Sequence, residues 1–155
     1  MNELGNWISG ETQRPFYVRR EFYIEKQLQK ATVYVCGLGQ FIFYINGQKV
    51  SDHELDPGWT NYDRKIQYVK FDVTELLHTG NNVLGAEVGN GWFLKEDEHY
   101  TFSFPAFMPP NPNPYKPFGK ELVLALKLVL NYADETEEIL YADEEFQVKE
   151  HPVKM

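Results

Sequence analysis

A single cysteine, a shortage of positive charge and the lack of any long apolar run set the first limits on this chain of 155 residues. With only Cys36, an internal disulfide framework and a cysteine-rich zinc site are both excluded. Lys and Arg number 15 against 23 Asp and Glu, a net charge of −8. The basic footprint required by nucleic acid or an anionic membrane surface is therefore missing, and a neutral or cationic partner fits better. No segment approaches the apolar length of a membrane span, and residues 1–10 have neither the basic region nor the apolar core of a signal peptide. As it stands the chain is expected to be soluble, unexported and cytoplasmic, an inference that lapses if it is a piece of a larger protein. Aromatic residues are plentiful, at 15% of the chain within a hydrophobic share of 43%. That is enough to build a packed core, and the length suits one domain spanning 1–155.

Helical periodicity is scarce, whereas apolar residues recur at every second position. Ala31, Val33 and Val35 alternate with Thr32, Tyr34 and Cys36, and Gly37-Leu38-Gly39 breaks the run before a second strand over 40–45. Asn46-Gly47 tolerates the positive φ of a type I′ turn, which predicts a hairpin from 40–45 back along 48–55. A half-buried strand is expected over 64–73, then one helical turn near Thr74 to Leu77 ended by Gly80, then a strand over 83–88. Pro105, Pro109, Pro110, Pro112, Pro114 and Pro117 exclude a central strand or helix and predict a surface loop. Leu122, Leu124, Leu126, Leu128 and Leu130 share one face of a strand whose other face is apolar except at Lys127, as a central sandwich strand requires. Short strands over 138–141 and 146–148 complete an all-β pattern, a β-sandwich or jelly roll.

Most motif chemistry fails on its own requirements. Gly37-Leu38-Gly39 has Ile42 where a dinucleotide fingerprint needs its third glycine, and a strand follows where phosphate needs a helix N-terminus. His53, His78, His99 and His151 lack ligand spacing, and Cys36 reads as a small buried hydrophobe. No Ser or Thr sits in a recognisable nucleophile elbow. Asp52, Glu54, Asp56 and Asp63 take positions one, three, five and twelve of a calcium loop, but Pro57 stands where that loop needs glycine. An EF-hand is excluded; a looser calcium site on these oxygens stays open, and no other cofactor is implied.

Two stretches combine large rings with amides and carboxylates on turn-prone chain: Asp56-Pro57-Gly58-Trp59-Thr60-Asn61-Tyr62-Asp63 and Gly89-Asn90-Gly91-Trp92-Phe93. Sugars are held by that chemistry, a ring face against C–H groups plus a few directed hydrogen bonds. Asp56, Trp59, Tyr62, Asp63, Asn90 and Trp92 are the candidate carbohydrate contacts, with packing of the rings against a neighbouring domain as the alternative. No residue pair qualifies as catalytic.

From Trp7-Ile8 and 17–22, through 31–39, 44–47 and 52–63, to 72–82, 89–92 and the late 132–134 and 146–148 blocks, the chain resembles the N-terminal domain of bacterial α-L-rhamnosidases of glycoside hydrolase family 78. The piece over 72–82 taken alone also resembles sugar-binding jelly rolls of family 2 glycosidases. The resemblance implies a galactose-binding-domain-like jelly roll and a larger multidomain enzyme that hydrolyses terminal α-L-rhamnosides with inversion in a following (α/α)₆ barrel. No residue here matches that barrel's carboxylates, so this chain is expected to be non-catalytic. Related domains bind L-rhamnose with calcium, without ligands that map onto this sequence. Asn61, where the family commonly has Asp, and the proline loop depart from the pattern. The expected role is an accessory one, recognition of rhamnose-containing carbohydrate and packing on the catalytic domain of the same polypeptide. A free-standing carbohydrate-binding module and a purely structural domain remain the rivals.

Overall fold

The structure is a computed structural model that describes residues 4–12, 14–94 and 118–152. Among these residues are ten strands: β1 (Ile8–Ser9), β2 (Phe16–Ile24), β3 (Leu28–Leu38), β4 (Gln40–Ile45), β5 (Gln48–Lys49), β6 (Val69–Asp72), β7 (Gly80–Gly89), β8 (Val123–Tyr132), β9 (Glu137–Tyr141) and β10 (Gln147–Glu150). One 3₁₀ turn, Thr74–Leu76, interrupts them. Two five-stranded antiparallel sheets result. The first runs β6-β3-β8, with β1 and β9 sharing the far edge of β8; the second runs β10-β2-β7-β4-β5.

Alternation determines which side chains meet between the sheets. Phe16, Val18, Phe43 and Leu84 from the second sheet join Val33, Val35, Leu126 and Leu128 from the first in one buried cluster. All five leucines from Leu122 to Leu130 are buried, and β8 sits centrally, as the sequence predicts. Burial alternates along β2 too, but one of its inward positions carries a charge, Arg20. Its guanidinium is held by Asp143 at 2.7 Å and Glu145 at 2.6 Å, donates to the Tyr141 carbonyl at 3.1 Å, and lies 5.5 Å from the Phe146 ring centroid. A side chain on the second sheet thereby ties down the β9–β10 connection.

Asn46 and Gly47 adopt φ of 50° and 80°, the expected turn. The hairpin's return strand is shorter than predicted. It stops at Lys49 with one further bond from Val50 N to Phe43 O at 2.9 Å, because the Ser51 hydroxyl accepts the His53 N–H and turns the chain. The strand expected over 64–73 likewise shrinks to β6. Asn61 holds the chain in a turn, its carbonyl accepting from Arg64 N and Lys65 N at 2.9 Å and its side chain from Asp63 N at 3.2 Å. The helical turn falls at Thr74–Leu76, with the Asp72 carboxylate accepting from Thr74 N and Oγ1. The proline loop expected over 105–117 lies outside the described residues.

Candidate functional site

The loop carrying Asp56 is anchored where it crosses the start of β4: Phe41 N donates to the Asp56 carbonyl at 2.9 Å. Pro57, joined by a cis peptide bond, is buried, which leaves Gly58 and Trp59 outside. The Asp56 carboxylate is mostly covered, with 16% of its side chain exposed, and lies 2.7 Å from His53 Nδ1. Trp59, by contrast, exposes 63% of its surface. Beyond it, the Asn61 turn exposes Asp63 and brings Tyr62 back onto the body of the domain.

The second loop leaves the end of β7 and packs closely on the link between β3 and β4. A Cβ at Gly91 would come within 2.9 Å of the Gly39 backbone, and one at Gly39, whose φ is +134°, within 2.5 Å of the Gly89 carbonyl oxygen. These glycines therefore serve backbone contact, which gives Gly37-Leu38-Gly39 its structural role. Tyr62 meets the rings of Phe93 and Phe118 edge-on at centroid distances of 5.3 and 5.2 Å. Burial, and secondarily the neighbouring Cys36, raises its hydroxyl above the usual tyrosine range. Trp92 remains 59% exposed. The two predicted loops are thus brought together through Tyr62 and Phe93.

Asn90 opens onto a different feature, a cleft of about 350 Å³ whose walls include Gln40, Ile42, Glu54, Glu87 and His151. Trp59, Tyr62, Asp63 and Trp92 do not line it. The Asn90 Oδ1 is buried and finds no hydrogen-bond partner among the described residues. Sequence reasoning missed these cleft walls because they come from five separate segments. The local signal was Gly89, a glycine at the end of a strand.

A wider concavity of about 830 Å³ lies at the other end of β3 and β8, lined by Lys30, Asp72, Thr74, Glu75, Tyr132 and Thr136 among others. Several of its polar groups are engaged with neighbours, Asp72 with Thr74 and Tyr132 with Glu138. Among the described residues no group of three or more His, Cys, Asp or Glu is arranged to hold a metal ion. Asp52, Glu54, Asp56 and Asp63 do not converge into such a group, and Glu54 is held by Lys49 Nζ at 2.8 Å. The looser calcium site is therefore not supported by these carboxylates. Cys36 is fully buried, donates to the Gln67 carbonyl at 3.0 Å, and has its thiol pushed up to about 12 by burial, which makes it inert.

Known proteins share this fold. The α-L-rhamnosidase N-terminal domain family matches residues 26–155. An α-L-rhamnosidase of Formosa agariphila is 36% identical over 142 residues, which cover 88% of this chain and 14% of that protein. The crystal structure of native α-L-rhamnosidase from Aspergillus terreus superposes with a TM-score of 0.78 at 28% identity, covering 94% of this chain and 16% of that one. The Streptomyces avermitilis α-L-rhamnosidase, solved in complex with L-rhamnose, gives a TM-score of 0.75 at 27% identity, covering 92% and 13%. These relatives are glycoside hydrolases several times longer than the present chain. Sequence and fold agree along nearly its whole length, and the chain belongs to the family of α-L-rhamnosidase N-terminal domains.

Proposed function

We propose that this domain is a non-catalytic part of an α-L-rhamnosidase that helps the enzyme recognise rhamnose-containing glycosides and packs against its catalytic domain. The observation that carries the reading is the exposure of Trp59 and Trp92, 63% and 59%, on two loops joined by Tyr62 against Phe93. Two large rings left in water cost hydration free energy unless something covers them, and the C–H face of a sugar matches the face of a ring. Turnover belongs to the remainder of the enzyme. Hydrolysis of a glycoside needs two carboxylates set across the scissile bond, and Asp56, the covered carboxylate of the loop, is engaged by His53.

Calorimetric titration of L-rhamnose into the chain tests the reading. A single sugar offers few atoms and must shed water from its hydroxyls, so the expected dissociation constant is weak, on the order of 0.1–1 mM or poorer. Trp59→Ala and Trp92→Ala should each weaken it further. Because no carboxylate cluster is available among the described residues, a chelator should leave binding unchanged. Binding that survives loss of both rings would refute these loops as the contact, and binding abolished by chelation would refute the calcium-free part.

A further inference from the structure

We propose that the outer face of the β10-β2-β7-β4-β5 sheet carries a second carbohydrate contact, a groove along β7 that takes an extended neutral glycan chain. The proposal deepens the recognition role above by naming a polymeric ligand.

The register of the sheet fixes which groups surround the groove. Val83, Gly85, Glu87 and Gly89 are the outward positions in this part of β7. Gly85 lies between Arg19 and Tyr44, Glu87 between Tyr17 and Ile42, and Gly89 beside Gln40. A cleft of about 370 Å³ lies over Gly85, bordered by Tyr17, Arg19, Tyr44 and Glu87. The Asn90 cleft of about 350 Å³ lies over Gly89 and also reaches Glu87. The two depressions therefore adjoin along one strand, and the four residue steps from Gly85 to Gly89 span about 13 Å. That length suits several linked sugars better than one.

Neither glycine is required by the fold. Both have ordinary φ, unlike Gly39, Gly47 and Gly80. A Cβ at Gly85 would meet Val18 O at 3.7 Å and Tyr44 Cβ at 3.9 Å, and one at Gly89 would meet Gln40 O at 3.9 Å, all ordinary contacts. Glycine inside a strand weakens it, and at these two positions it leaves the backbone open to close approach by a ligand.

The walls supply the chemistry. The Tyr17 ring is stacked on His151 with centroids 4.6 Å apart, and the Tyr44 hydroxyl donates to Glu87 Oε1 at 3.0 Å. These contacts hold two rings and a carboxylate in place at the groove. Asn90 adds the buried, unpartnered Oδ1 already described. Rings with fixed acceptors and amides suit a neutral sugar chain. Glu54 and Glu87 disfavour a phosphate backbone or an acidic polymer. A peptide strand has no edge to join here, since β7 is paired on both sides by β2 and β4.

The test uses the isotopically labelled 155-residue chain and two probes, L-rhamnose and a linear neutral tetrasaccharide of L-rhamnose. The tetrasaccharide should move the amides of Tyr17, Tyr44, Gly85 and Gly89 and bind at least about tenfold more tightly than the monosaccharide. Gly85→Val fills the groove from the strand itself. It should preserve the amide spectrum of the fold and weaken the tetrasaccharide about tenfold while leaving L-rhamnose shifts at the Trp59 and Trp92 loops unchanged; Gly89→Ala serves as a milder second block. If the tetrasaccharide moves only the tryptophan loops, or binds a folded Gly85→Val chain as well as the parent, the groove is overturned and the loop reading stands. Groove shifts without loop shifts support the groove and overturn the loops, and silence at both places overturns both.

Discussion

Asn82 offers the sharpest energetic test of the sandwich. Its side chain is fully buried at the start of β7, and every hydrogen-bonding capacity of its amide is used. Nδ2 donates to the carbonyls of His78 at 2.6 Å and Gly80 at 3.0 Å, while Oδ1 accepts from Asn46 Nδ2 at 2.9 Å and His78 N at 3.1 Å. Asn46 in turn donates to Leu76 O and accepts from Val83 N, both at 2.9 Å. One amide pair thus pins the β4–β5 turn, the segment after the 3₁₀ turn and the start of β7 to each other. Asn82→Ala strips partners from four polar groups. At about 0.5–1.5 kcal/mol net per bond, with a larger penalty for any group left dry, the loss should be about 3–5 kcal/mol. That is a large fraction of the ~5–15 kcal/mol that holds a domain together. Asn82→Asp should be at least as damaging, since it turns an oxygen toward two carbonyls and buries a charge. Urea unfolding followed by tryptophan fluorescence measures both. A loss below about 1 kcal/mol for Asn82→Ala, at unchanged slope, would refute the reasoning by showing that water satisfies this corner without the amide.

Three further outcomes are expected. Native chain should leave Cys36 unreacted with a thiol reagent at pH 8, and unfolded chain should react at once; fast native labelling would contradict a thiol raised to about 12 by burial. Asp134 is held down to about 2 from 3.8, first by Lys26 and then by Thr136, so its contribution is complete above the unfolded value and lost as pH falls through the folded one. Lys26→Met should accordingly flatten the loss of stability between those two values, and an unchanged acid profile would count against the pair. Finally, the chain should not hydrolyse a chromogenic α-L-rhamnoside; turnover that vanishes on changing one of its carboxylates would overturn the non-catalytic reading.

Strand identity was legible wherever burial on one side imposes alternation, as in β3, β4 and β8, and the Asn46-Gly47 turn followed from the φ values those residues tolerate. Strand ends were less legible: β5 ends at the turn that Ser51 makes, and the turn at Asn61 takes up Arg64 and Lys65, the start of the strand expected over 64–73. Strand β2 carries a charge at one inward position for a tertiary reason: Asp143 and Glu145, distant in sequence, meet Arg20 there. At the candidate site, the rings and turn residues announced themselves, including the loop pair that Tyr62 joins. The cleft beside Asn90 did not, since register, and not local sequence, sets Glu87, Gln40 and His151 around it.

Sugar recognition by this domain depends on the two tryptophan loops. The chain has three tryptophans, and Trp7, on the segment before β1, belongs to neither loop, so it serves as an internal reference. Indole N–H signals recorded while L-rhamnose is added to the labelled chain provide the direct measurement. Saturating shifts of the Trp59 and Trp92 signals, with Trp7 unmoved, are the predicted result; three unmoved indoles at saturating sugar would contradict it.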